Sequence, residues 1–111
     1  MKVLLDHCVD IRFAQQIERH EIIATKALGW EQLSNGKLLA AAFDAGFDAF
    51  LTTDKNLRFQ QNVSRSGLVI VTLDSRFTAV EDLSPLAPQV QSLLDSHPET
   101  GTSYVISTAD G

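Results

Sequence analysis

The sequence predicts a single α/β domain, built on a mainly parallel sheet of four to five strands flanked by helices. Two observations lead to this fold class. Short apolar segments alternate along the chain with segments of helical spacing or with helix-capping residues. The apolar segments are also continuous, as in "VLL" at residues 3–5, and this is typical of parallel strands that are covered on both faces.

The first half of the chain predicts three strands with a helix in each gap. Residues 2–5 and 21–25 are short apolar strand segments. Between them, residues 9–19 have apolar side chains every four positions, which indicates a helix. A second helix is predicted to follow the capping sequence at residues 34–36 and to end at a glycine before the third strand, residues 47–53.

The second half predicts two strands and one longer helix. Residues 57–63 are expected to form one loose helical turn before the most β-branched strand, residues 67–73. Residues 74–83 are interpreted as a polar connection. A serine followed by a proline at residues 84–85 starts the last helix, and residues 104–107 are expected to form a short edge strand.

The composition limits the function classes. The chain has 111 residues, a net charge of −5 and one cysteine, which argues against a general nucleic-acid binder and against a disulfide framework. A local positive patch is nevertheless predicted, because residues 55–73 hold three cations and no acid. The sequence has no signal peptide and no apolar run long enough for a bilayer, so we expect a cytoplasmic protein without a membrane partner.

Three acids are predicted to lie at the ends of parallel strands, namely Asp6, Asp54 and Asp74. Ligands of open parallel sheets gather at the carboxyl ends of the strands, so these carboxylates are expected to converge there. Carboxylate oxygens with few other ligands suit Mg²⁺ or Mn²⁺, and such an ion would support hydrolysis of phosphodiester bonds. The alternative is that each aspartate forms a turn or caps a helix.

The candidate site residues fall into three groups. They are Asp6 and Asp54 as catalytic carboxylates and metal ligands, Asn35 as a further metal ligand, and Lys55, Asn56 and Arg58 as groups that bind the substrate phosphate. The two residues that follow Asp6 have separate interpretations. His7 is either a ligand or a base, and Cys8 is interpreted as a small buried residue rather than as a nucleophile.

Three stretches together resemble a family of small bacterial PIN-like proteins. They are "MKVLLDHCVD", "GWEQLSNGKLLAAAFDAGFD" and "FLTTDKNLRFQQN", and the resemblance covers about residues 1–76. It implies the fold of the PIN domains, which are metal-dependent ribonucleases with about four acids at the carboxyl edge of a parallel sheet. Many PIN domains are toxins that pair with an antitoxin protein, and relatives often form homodimers.

The resemblance carries over to only part of the acid set. Asp6 and Asp54 match the family pattern, whereas His7, Asn35 and Asn56 stand where relatives have acids, and Glu31 has no assigned place. Two functions therefore stay open. One is a weak Mg²⁺- or Mn²⁺-dependent ribonuclease that prefers single-stranded RNA, and the other is an inactive PIN-like module that binds RNA or a protein partner.

Overall fold

The computed structural model describes residues 1–107, except for the side chains of Arg58 and Gln60. All five strands in this range form one parallel sheet in the order β2-β1-β3-β4-β5. The strands are β1 (Lys2–Leu5), β2 (Glu21–Ala24), β3 (Ala49–Thr52), β4 (Val69–Asp74) and β5 (Ser103–Ser107). The predicted α/β class and the number of strands are confirmed.

Helical segments connect the strands and cover both faces of the sheet. The α-helices are α1 (Ile11–Ala14), α2 (Asn35–Asp44), α3 (Leu57–Gln60), α4 (Val63–Ser66), α5 (Val80–Leu83) and α6 (Ala87–Asp95). Two 3₁₀ turns, Thr25–Leu28 and Ser84–Leu86, complete the connections. No helix in the described range is long and apolar enough to cross a membrane.

The central strands are buried on both faces, which explains their continuous apolar sequence. Leu5 and Leu51 belong to the core beneath α1, α5 and α6. Leu4 and Phe50 belong to the opposite core, which includes Leu38 of α2. Side chains alternate between the two faces of a sheet along each strand. Asp6 comes two residues after Leu4, and Thr52 comes two residues after Phe50, so both face the α2 side of the sheet.

The predicted helix at residues 9–19 is wrong in length, because only Ile11–Ala14 is helical. The apolar side chains that suggested the helix are buried nevertheless, including Ile17 in the turn that follows. Arg19 adopts a left-handed conformation with φ of 67°, which ends any continuation toward β2. The apolar spacing therefore predicts correctly which side chains are buried, but it is wrong about the length of the helix.

Two connections are more helical than predicted. The stretch at residues 57–63 contains α3 and the start of α4 rather than one loose turn. The segment at residues 74–83 was interpreted as a polar connection, but it contains α5, whose Leu83 is fully buried. The predicted last helix and the edge strand β5 are both present, while residues 108–111 lie outside the described range.

Candidate functional site

The candidate site lies where β1 and β3 are neighbours in the sheet. β1 connects to β2 on one side and β3 adjoins it on the other, so the chain reverses its direction of winding here. Crevices at such points are the usual ligand sites of open parallel sheets. Asp6 follows β1 and Asp54 follows β3, so the expectation that both aspartates reach the same carboxyl edge is confirmed.

The Asp6 carboxylate is buried and accepts three hydrogen bonds from the protein itself. Its Oδ1 accepts from the His7 backbone N–H at 2.8 Å, and the ring Nδ1 of His7 lies 3.0 Å from the same oxygen. Its Oδ2 accepts from Thr52 Oγ1 at 2.7 Å and from Cys8 Sγ at 3.4 Å. A carboxylate offers about four lone-pair sites, so the three hydrogen bonds occupy most of them. Only 5% of the residue is exposed.

Asp54 has a different role in the local geometry. Its backbone N–H donates to Thr52 Oγ1 at 3.0 Å, the same hydroxyl that donates to Asp6. Its Oδ1 accepts from the backbone N–H of Asn56 at 3.0 Å, which is the hydrogen bond of an Asx turn. The Thr52 hydroxyl therefore links the Asp54 backbone to the Asp6 carboxylate. The Asp54 carboxylate itself stabilises the loop that leads into α3.

The predicted phosphate-binding and amide residues are only partly assembled. Lys55 Nζ forms an ion pair with Asp74 Oδ1 at 2.8 Å, which ties the β3–α3 loop to the end of β4. Asn56 contributes its backbone N–H to the Asx turn. Asn35 is half-buried in the first turn of α2, and the hydrogen bonds of Asp6 and Asp54 go to other residues. The side chain of Arg58 lies outside the described range.

A cavity of about 470 Å³ adjoins Asp6 on the β2 side of the sheet. Its lining includes His7, Lys26, Glu31 and Asp10 as well as Asp6. Glu31 thus gains a position at this edge, and Lys26 is a site residue that the sequence did not suggest. Lys26 lies just past the carboxyl end of β2, the neighbour of β1, and that position is the signal that could have found it.

His7 contacts the buried Asp6 carboxylate and is itself exposed. Its side chain is 64% exposed, while that of Asp6 is 7% exposed. The Asp6 contact at Nδ1 leaves Nε2 as the ring nitrogen available for another partner. A carboxylate beside one imidazole nitrogen, with the other nitrogen open, is the arrangement used by histidine in acid–base catalysis.

Cys8 is exposed, so its interpretation as a buried residue is wrong. Its Sγ donates toward Asp6 Oδ2 at 3.4 Å and accepts from Thr53 Oγ1 at 3.0 Å. A nucleophilic cysteine needs a neighbouring base or cation. Within residues 1–107 the hydrogen bonds of the Cys8 thiol go to Asp6, Thr52 and Thr53, so Cys8 supports the Asp6 carboxylate.

The arrangement around Asp6 fits a divalent cation poorly. A metal ion needs lone pairs, and those of Asp6 are directed at His7, Cys8 and Thr52. Within residues 1–107, no three His, Cys, Asp or Glu side chains are grouped so that they could hold a metal ion. A cation at this edge would require Asp6 to give up at least one protein donor.

The comparisons with known proteins leave the family open. No protein-family model, no curated protein and no solved structure matches the chain.

Proposed function

We propose that this chain is a PIN-like protein that binds single-stranded RNA at the carboxyl edge of its sheet. The resemblance of residues 1–76 suggests RNA, and the crevice at the reversal point suggests the location. Lys26 lines the cavity beside Asp6, so a phosphate has an ammonium to contact although the chain is acidic overall. Lys55 lies on the Asp54 side and would have to leave its ion pair with Asp74 to add a second contact.

The observation that carries this proposal is the set of contacts around the Asp6 carboxylate. Most of its lone-pair sites accept hydrogen bonds from the His7 backbone, Cys8 and Thr52, and the His7 ring lies against the same carboxylate. A PIN nuclease instead needs its first carboxylate free to hold a metal ion, as the resemblance implies. The geometry therefore favours binding of RNA over metal-dependent cleavage. Pairing with an antitoxin protein and formation of a homodimer stay predictions from the resemblance.

A weak Mg²⁺- or Mn²⁺-dependent ribonuclease is the second candidate. The observation that favours it is the position of Asp54. Asp54 is half-buried, and its backbone N–H binds the same Thr52 hydroxyl that donates to Asp6. If Asp6 exchanged its Cys8 contact for a cation, the two aspartates would face that cation together. The toxin of a toxin–antitoxin pair, which the resemblance predicts, would act through this second function.

Fluorescence anisotropy with a labelled single-stranded RNA tests the proposed binding. We expect affinity that falls as salt rises, because phosphate contacts release counterions. Lys26→Gln should weaken binding several-fold, on the order of one phosphate contact. Lys2→Gln is the matched control, since Lys2 lies at the opposite end of β1 with its Nζ on the Ala45 carbonyl. Equal binding by both variants, or none by the unchanged protein, would refute the proposal.

Thermal melts with Mn²⁺ and with EDTA separate the two candidates. A ligand that binds only the folded state raises the melting temperature. The proposed RNA-binding module should melt at the same temperature in both solutions. A rise with Mn²⁺ that disappears in Asp54→Asn would instead favour the metal-dependent ribonuclease.

A further inference from the structure

We propose that His7 and Glu31 form an acid–base pair that cleaves RNA without a metal ion, by attack of the RNA's own 2′-hydroxyl. The proposal rests on the proposed RNA binding and adds a reaction to it. It starts from two facts that the metal hypothesis does not use. The first is that the backbone N–H and the ring of His7 both lie against Asp6 Oδ1. The second is that His7 and Glu31 line the same cavity.

Two contacts with Asp6 restrict the orientation of His7. Its backbone N–H donates to Asp6 Oδ1 at 2.8 Å, and its ring Nδ1 lies 3.0 Å from the same oxygen. The backbone hydrogen bond holds the residue in place, and the ring lies with its Nδ1 side against the carboxylate. Asp6 is in turn held by Thr52 and Cys8, so it acts as a positioning residue. The imidazole then presents Nε2 for proton transfer.

Glu31 is the carboxylate in this cavity that is left for proton transfer. Asp6 is occupied by protein donors, and Asp10 binds Arg12 through both oxygens, with a shortest distance of 2.7 Å. Glu31 is exposed and makes no ion pair within residues 1–107. It therefore keeps both oxygens available to accept a proton.

The cavity also meets the demands of a phosphodiester substrate. Its volume of about 470 Å³ lies in the range of small-molecule sites and suits one nucleotide. Lys26 lines the cavity and makes no ion pair within the described range, so its ammonium is available to the phosphate oxygens. Negative charge that develops on those oxygens would be stabilised by such a cation.

The proposed step balances without any co-reactant. The 2′-oxygen forms a bond to the adjacent phosphorus, and its proton passes to the Glu31 carboxylate. The bond between phosphorus and the 5′-oxygen breaks, and the His7 imidazolium beside Asp6 gives its Nε2 proton to that oxygen. The products are a 2′,3′-cyclic phosphate and a 5′-hydroxyl. DNA lacks the attacking hydroxyl and is not a substrate.

The test is cleavage of an end-labelled single-stranded RNA in excess EDTA, with the product ends identified by mass spectrometry. We expect a cyclic phosphate and a free 5′-hydroxyl, and no cut where one nucleotide carries a 2′-deoxy sugar. His7→Asn and Glu31→Gln should each lower the rate on the order of 100-fold, the usual range for acid–base groups. Both side chains are exposed, and thermal melts check that both variants fold.

Matched controls guard against a contaminating nuclease. His97→Asn and Glu99→Gln make the same chemical changes at exposed positions beyond α6, and both should cleave like the unchanged protein. The positioning role of Asp6 has its own readout. The downfield proton NMR signal of His7 Nδ1–H should disappear in Asp6→Asn, whereas a purely structural Asp6 would leave it in place.

Each contrary outcome identifies what fails. RNA that binds but stays intact in EDTA, or is cut only with Mg²⁺ or Mn²⁺, overturns the acid–base pair and leaves the binding proposal standing. Equal rates in the His7 and Glu31 variants and in their controls also overturn it. If the protein does not bind RNA in the anisotropy assay, both proposals fall.

Discussion

Two histidine–carboxylate pairs lie on the molecule with opposite burial. In the first, the Asp6 side chain is 7% exposed and the His7 ring is 64% exposed. In the second, the ring of His20 is 4% exposed and the side chain of Asp95 is 36% exposed. His20 places Nε2 2.8 Å from Asp95 Oδ1, and its Nδ1 lies 2.8 Å from the amino group of Met1.

The difference shows which partner can meet a ligand. His20 has both ring nitrogens engaged and its ring covered, so the pair links the β2 side of the sheet to the end of α6. His7 has one nitrogen engaged and its ring in solvent, so the pair offers a reactive group. The same two residue types therefore stabilise the fold in one place and present chemistry in the other.

The largest effect should come from Asp6→Asn. The amide keeps one acceptor oxygen but turns its NH₂ group either toward the His7 backbone N–H or toward the Thr52 and Cys8 side chains. Replacing charge-assisted hydrogen bonds to a buried carboxylate by opposed donors should lower the free energy of unfolding by roughly 2–4 kcal/mol. Urea melts should show this loss, with Asp44→Asn at an exposed position as the control. A loss no larger than that of the control would show that the contacts of Asp6 stabilise little.

The two histidines should differ clearly when each is changed to alanine. His20→Ala removes a buried ring and both of its contacts, so we expect a loss of roughly 1–3 kcal/mol. His7→Ala removes an exposed ring, and the loss should stay below about 0.5 kcal/mol. Thermal melts of the two variants measure the difference. Equal losses of stability in the two variants would contradict the conclusion that His20 stabilises the fold and that His7 does not.

The second pair should also affect stability in acid. The hydrogen bond from Arg19, followed by that from His20, lowers the pKa of Asp95 from 3.8 to about 2. A lowered pKa in the folded state stabilises the protein above pH 4 and is lost as pH falls toward 2. The unchanged protein should thus exceed Asp95→Asn in stability at neutral pH, and the gap should close between about pH 4 and pH 2. A gap that stays constant in acid unfolding curves would contradict this.

The smallest effect should come from Asp54→Asn. Asparagine keeps the oxygen that accepts the Asn56 backbone N–H, and asparagine is a common residue in such turns. The free energy of unfolding should change by no more than about 0.5 kcal/mol. Urea melts of this variant beside Asp6→Asn test whether the two aspartates differ as their burial suggests. A large loss in the free energy of unfolding would mean that the Asp54 carboxylate stabilises more than the turn at Asn56.

The sequence predicted the sheet better than it predicted the helices. Apolar segments located all five strands to within a few residues. The pattern is clearest for β1, β3 and β4, because these inner strands are buried on both faces. The helix at residues 9–19 was overestimated because Phe13 and Ile17 are buried through a short helix and a turn. Apolar spacing records which side chains are buried, and more than one backbone path can bury them.

The candidate site was predicted in position but not in detail. Strand ends placed Asp6 and Asp54 at one edge, which follows from parallel topology alone. Thr52 was not recognised as their shared partner, because the pairing depends on the register between β1 and β3. Lys26 follows the end of β2, which could have suggested it, whereas no local pattern encodes the path by which Glu31 reaches the cavity.

The bond between Asp6 and Thr52 also constrains the order in which the chain can fold. The two residues are 46 positions apart, and β1 lies between β2 and β3 in the sheet. While the ribosome has delivered only the first two strands, one edge of β1 is open and the Asp6 carboxylate lacks its shortest hydrogen bond. Exposed strand edges of this kind recruit other chains. Productive folding therefore waits for β3, and a nascent chain that stalls before residue 52 is the form most exposed to aggregation and proteolysis.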